Sequence, residues 1–233
     1  MGFAHFAVSL TADLNTSFSE LTQACDDLPP DPYCEVQNRF RRLQYFTALP
    51  WCDHVVARPV SHYQQDSAFN PDQQGRTRYF EPLADATAAN ALLAALIRFD
   101  LAQLPLLSER LVNPVDVGVH LVRMVVVSGK PAVSSPPHLH KDGEPFTFIH
   151  LIRRHQIRGG QTVVAEGRTP FSQVPGRVID RFTLDRPLES VAVSDSHVFH
   201  GVEPIEVAPG HGTGFRDVLL IDFTPMKRDM AAD

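Results

Sequence analysis

From Pro114 onward the chain leaves few folds open. The segments VDVGVHLVRMVVV, PFTFIHLIRR, GGQTVVAEG, RFTLDRPLESVAVSD, SHVFHGVEPIEV and FRDVLLIDFT are short, β-branched and punctuated by Gly, Pro and Asp. Strands recurring about every ten residues, with no helical pattern between them, predict an antiparallel sandwich or barrel. Upstream, residues 84–111 carry a helical signal, with Leu92, Leu93, Leu96, Ile97, Leu101 and Leu104 at helical spacing. A second helix is predicted within residues 1–30. Phe18, Leu21 and Cys25 repeat along it, Ser17 or Ser19 caps it, and Pro29, Pro30 and Pro32 stop it.

QNRFRRLQYFTAL predicts a strand, with Arg39, Arg41 and Arg42 as a solvated edge. SHYQQDSAFNPDQQGRTRYFEPL reads as an ordered loop between short strands. The fold class that results is α+β and mainly β: a cupin-like jelly-roll core with N-terminal helices packed on it. One domain spans 1–233, with a helical and loop part at 1–112 and the jelly roll at 113–226.

Composition narrows the function classes. At 43% hydrophobic over 233 residues, the chain can bury one large core. A formal net charge of -6 with scattered basic residues offers no footprint for nucleic acid. No apolar run approaches a membrane span. The N-terminus lacks the basic region of a secretory signal, and Phe6 departs from a myristoylation signal at Gly2. Cys25, Cys34 and Cys52 show no Cys-x-x-Cys spacing and fit reduced thiols, so a cytoplasmic protein is expected.

The chemistry concentrates in His140, Asp142, His200 and Arg216. Two imidazoles and one carboxylate are the facial ligand set of non-haem Fe(II), which leaves positions open for other ligands. On a strand, residues i and i+2 share a face, so His140 and Asp142 can reach one metal. His138 shares that face too, and a three-His site built from His138, His140 and His200 is the alternative. Arg216 offers a planar fork for a carboxylate, or else a salt bridge to Asp217 or Asp222. Phe146, Phe148, Phe199 and Phe215 are either cavity walls or core.

In order and spacing these residues resemble Fe(II)/2-oxoglutarate-dependent dioxygenases. SSPPHLHKDGEPFTFIHLI, RGGQTVVAEG, VFHGVEPI and FRDVLLIDF resemble, more narrowly, the bacterial free L-amino acid hydroxylases of the L-isoleucine 4-hydroxylase type. QNRFRR, YQQDSAFNPDQQGRTRYFEPL and DVGVHLVRM extend the resemblance upstream. It implies a double-stranded β-helix, Fe(II) on His140, Asp142 and His200, and 2-oxoglutarate anchored by Arg216. It further implies O2 as oxidant, release of succinate and CO2, and hydroxylation of a free L-amino acid or similar small molecule. An amino-acid substrate needs partners for its carboxylate and ammonium. Candidates are Arg78, Tyr63, Gln64, Asn70 and Glu144, with Arg123 and His120 on the first core strand. No nucleic-acid or membrane partner is expected, and a homodimer is compatible with the chain. Two other classes compete: a cupin-like enzyme with the three-His site and no 2-oxoglutarate, and a non-catalytic β-sandwich binding protein.

Overall fold

The late strands read as almost unbroken apolar runs because both of their faces are covered. The computed structural model describes residues 2–52, 54–59, 62–64, 75–104, 113–134, 136–167, 169 and 174–226. Seven strands form one antiparallel sheet, in the order β1 (Phe3–Ala7), β9 (Glu189–Ser194), β5 (Phe146–His155), β12 (Thr213–Pro225), β4 (Val115–Val127), β2 (Arg39–Ala48) and β3 (Val55–Arg58). Facing it are β10 (Val198–Val202), β7 (Thr162–Glu166) and β8 (Val178–Phe182), with the pair β11 (Ile205–Val207) and β6 (Ile157–Gly159). This is the mainly β, two-layered jelly roll that the strand pattern predicts.

The two-residue period of a strand then decides what each side chain meets. Val115, Val117, Val119 and Leu121 of β4 join Leu219, Ile221 and Phe223 of β12 under the helices. Those helices are α1 (Asn15–Ala24) and α3 (Ala91–Gln103). Leu92, Leu93, Leu96 and Ile97 of α3 are almost fully buried there, each worth about 1.5–3 kcal/mol of apolar burial. The alternate residues His120, Val122 and Met124 of β4 turn the other way, toward the second layer. Between the layers, Val122, Ile149, Leu151, Val164, Val191 and Val218 make a separate core.

Several expectations need correction. The helical pattern at 84–111 divides into a short turn of helix, α2 (Asp85–Ala88), and α3. The break is Asn90, whose backbone is extended and whose side chain accepts from the Leu93 N–H at 3.1 Å, capping α3. Residues 105–112 lie outside the described residues. Neither Ser17 nor Ser19 caps α1: both lie inside it, and a 3-10 turn at Ala12–Leu14 leads into it. The hydroxyl of Ser19 donates instead to the Asn15 carbonyl.

Residues 1–112 contribute strands as well as helices, among them β2 within the predicted strand QNRFRRLQYFTAL. They supply β1 at one edge of the large sheet and β2 and β3 at the other. Beyond the reach of β3, which pairs only with Tyr45–Ala48, the segment Pro29–Asp31 bonds the backbone of Arg39 and Arg41, so these two are not a solvated edge. No helix among the described residues is long and apolar enough to cross a membrane.

Candidate metal centre and its cavity

His140 and Asp142 do not sit on a continuous strand. Only His140 pairs, through reciprocal backbone bonds of 2.9 Å with His200 of β10. Lys141 and Asp142 then leave the ladder, and Gly143 turns the chain at φ 86°, a conformation that strains any residue with a side chain. Its N–H donates to Asp195 at 2.6 Å, which holds the turn. Gly201 allows the close approach on the other side, since a Cβ there would lie 3.2 Å from the His138 carbonyl oxygen. The segment is thus bent into place by glycines, not aligned by strand alternation.

The bend brings three donor side chains together. Nε2 of His140 is 3.5 Å from one Asp142 oxygen, and Nε2 of His200 is 3.2 Å from the other. One ligand atom from each of the three lies within 4.8 Å of the others, an arrangement able to hold a metal ion. Nδ1 of His140 lies 2.8 Å from the His138 carbonyl. Donation along that bond leaves the Nε2 lone pair facing the Asp142 carboxylate. Burial opposes the charge on Asp142, but His200 and His140 outweigh it and hold this carboxyl well below its usual range. His138 contributes its carbonyl only. Its ring stands 6.5 Å from that of His140 and lies outside the cluster, so the three-His alternative gains no support.

The cluster opens into a cavity that Arg216 also lines. Arg216 is 5% exposed, and its Nε has no hydrogen-bond partner. Its two expected salt-bridge partners are engaged elsewhere. Asp217 accepts from Arg123 and Arg153, while Asp222 accepts from Thr147 and faces His120 at 3.1 Å. Burial, with Arg154 nearby, pushes the Arg216 guanidinium down to about 10. A buried cation without a counter-ion is costly, and an incoming carboxylate relieves that cost. The donor set and the anion socket together fit a metal and a dicarboxylic co-substrate.

The predicted substrate residues divide. Tyr63 and Arg78 line the cavity, exchange backbone bonds of 2.8 Å, and stack with Arg78 4.6 Å from the Tyr63 ring centre. Gln64 and Glu144 line an adjoining hollow. Gln64 donates there to the Gly75 carbonyl at 3.0 Å. Burial first, then Asp222, push the Glu144 carboxyl up to about 7. Asn70 lies outside the described residues.

Arg123 does not join them. It sits one residue out of phase with His120 and Val122, faces the opposite side of the sheet, and pairs with Asp217 and Asp26. None of the four phenylalanines lines the cavity. Phe148 is core, and Phe215 lies between the Arg123 and Arg153 guanidiniums. The cavity also holds Arg39 and Arg41, which a reading of β2 as an edge strand misses. The alternation of β2 with the cavity-facing residues of β4 is the signal that would have found them.

A family model described as 2OG-Fe dioxygenase matches residues 22–222. The L-isoleucine-4-hydroxylase of Bacillus thuringiensis is 29% identical over 231 residues, covering 96% of this chain and 90% of that protein. The 3(1)-hydroxy-L-isoleucine 4-dioxygenase of Pantoea ananatis (strain AJ13355) is 32% identical over 215 residues, covering 91% and 82%. Among solved structures, IDO from Bacillus thuringiensis superposes with a TM-score of 0.77 at 22% identity, covering 97% of this chain and 91% of that one.

Proposed function

Since the chain belongs to the 2OG-Fe dioxygenase family, we propose that it hydroxylates a free L-amino acid at an unactivated carbon. In this reading His140, Asp142 and His200 hold Fe(II), and Arg216 receives the far carboxylate of 2-oxoglutarate. The supporting observation is the meeting, in one cavity, of a buried two-His, one-carboxylate cluster with a buried arginine that has no counter-ion among the described residues. Both curated relatives are named for oxidation of isoleucine or a hydroxylated isoleucine, which points first to branched aliphatic amino acids.

When bound, iron supplies the activation of O2, coupled to decarboxylation of 2-oxoglutarate, so that one oxygen atom enters succinate and the other the substrate. The protein's part is positional. His140, Asp142 and His200 would supply three ligands and leave the remaining coordination to other groups. The Arg216 fork fixes the co-substrate by two parallel hydrogen bonds. Val122, Ile149, Val218 and Leu220 keep the surroundings apolar and exclude water from the reacting atoms. We take the reaction to be cytoplasmic, in keeping with the free thiols of Cys25, Cys34 and Cys52.

The test is a screen of the twenty L-amino acids and their simple derivatives, hydroxylated isoleucine included, for succinate release and a product heavier by one oxygen. No stimulation by any of them would overturn the reading. Arg216→Gln is expected to raise KM for 2-oxoglutarate about 10- to 100-fold, the loss of a charged hydrogen-bonded pair. KM for the amino acid should stay near its original value. An unchanged KM for 2-oxoglutarate removes Arg216 from the co-substrate site.

A further inference from the structure

Arg216, Val218, Leu220 and Asp222 alternate along β12 and face inward. Arg216 marks one end of this row and Asp222 the other, where the cavity adjoins a second hollow lined by Glu144, Gly118 and Tyr45. Tyr63, His120 and Asp222 line both spaces. Around His120 a guanidinium and a carboxyl group face each other across one imidazole. Arg41 donates to its Nδ1, and its Nε2 lies 3.1 Å from Asp222 Oδ2. Burial, then Arg41 and Arg78, hold this imidazole well below its usual pKa, so it is a neutral spacer.

Arg41 has no carboxylate partner among the described residues, and its Nε is buried without a hydrogen bond. Its guanidinium is held in place by stacking, 4.4 Å from the Phe80 ring centre and 5.3 Å from that of Tyr63. Gly118 keeps the space beside Asp222 clear. A Cβ there would lie 3.6 Å from both Asp222 Oδ2 and His120 Nε2.

We propose that these two poles read the zwitterion of the substrate: Arg41 receives its α-carboxylate, and Asp222, with Glu144 beside it, receives its α-ammonium. The inference rests on the amino-acid hydroxylase reading above and specifies how that site recognises its ligand. A guanidinium has five donors, and Arg41 commits one to His120. A carboxylate has about four acceptor positions, and Asp222 commits two, to Thr147 and His120. Both poles therefore keep capacity for a ligand. In an α-amino acid the two charges hang from one carbon, a separation suited to poles one ring apart. A peptide keeps only one of the two charges at each terminal residue and neither at an internal one. The site thus selects free amino acids over peptides, amides and N-acyl derivatives.

The experiment is anaerobic calorimetry on the iron- and 2-oxoglutarate-loaded protein. The probes are L-isoleucine, any other amino acid active in the screen, and the carboxamide and N-acetyl derivative of each. The free acid is expected to bind at least about 10-fold more tightly than either derivative. Arg41→Gln should collapse the gap between acid and carboxamide, and Asp222→Asn the gap between the free and acetylated amine, with 2-oxoglutarate affinity retained. A carboxamide that binds the unaltered protein as well as the acid overturns the role of Arg41, and an equally bound N-acetyl derivative overturns that of Asp222. Gaps that persist in folded variants do the same. Should no free amino acid bind or stimulate succinate release, the hydroxylase reading itself fails and this inference falls with it. Coupled turnover with indiscriminate binding sinks the inference alone.

Discussion

Asp142→Ala is expected to lower 2-oxoglutarate-dependent succinate release by more than about 100-fold, beyond the 10–100-fold typical for loss of a mere outer-shell partner. The carboxylate is the one anionic member of the cluster and lies 3.5 Å and 3.2 Å from the two imidazole nitrogens. Without it, only two imidazoles remain, and bound Fe(II) should fall in parallel, measured as metal content after desalting. His138→Ala is the control. Its ring stands outside the cluster, so turnover should stay within about twofold, the range of an ordinary surface substitution. The opposite ranking, with His138 essential and Asp142 dispensable, would restore the three-His alternative and remove the basis for a 2-oxoglutarate site.

A second large effect is expected far from the cavity. Asp100 of α3 is completely buried on the helix face that packs against the sheet, and its Oδ2 lies 2.8 Å from Nε2 of His150 in β5. The other ring nitrogen of His150 lies 2.8 Å from the Ser190 hydroxyl, which in turn donates to the Leu188 carbonyl. This chain of polar groups ties the helix to two strands through an apolar core. Removing one partner leaves the other buried and unpaired, at a cost of about 3–5 kcal/mol. In a chain of this length that lowers Tm by on the order of 10 °C. Asp100→Ala and His150→Ala should each show this in thermal denaturation. The double variant should lose less than the sum, because the second change removes a group already orphaned. Single variants within about 1 kcal/mol of the parent would show that the pair is not a structural tie.

The candidate cluster is legible in residue types and order, although strand alternation is not what assembles it. Residue types and order pointed to His140, Asp142 and His200, yet Asp142 arrives by a turn at Gly143 and not by strand alternation. Alternation, applied strictly, would have served better elsewhere. The rule that sends His120 inward sends Arg123 outward, so Arg123 was excludable from the sequence. Arg41 was harder. A strand of alternating arginines and apolar residues looks like a wetted edge, and only the placement of Pro29, Tyr63 and Phe80 against it reveals that it is covered. The jelly roll itself was legible because its strands carry their burial locally. The split at Asn90 was missed because apolar spacing masked an ordinary helix cap.

The pairing of β1 with β9 sets a condition on synthesis. His5 lies opposite Val191, so β1 has no sheet partner until the 186 positions that separate them (191 − 5) have been synthesised. At ordinary translation rates that interval is roughly ten to forty seconds. During it Phe3 and Phe6 ride unprotected on an extended segment, a natural client for a holding chaperone. Closure of this edge of the sheet therefore waits on synthesis of β9, and expression yield should depend on how well the cell guards the waiting strand.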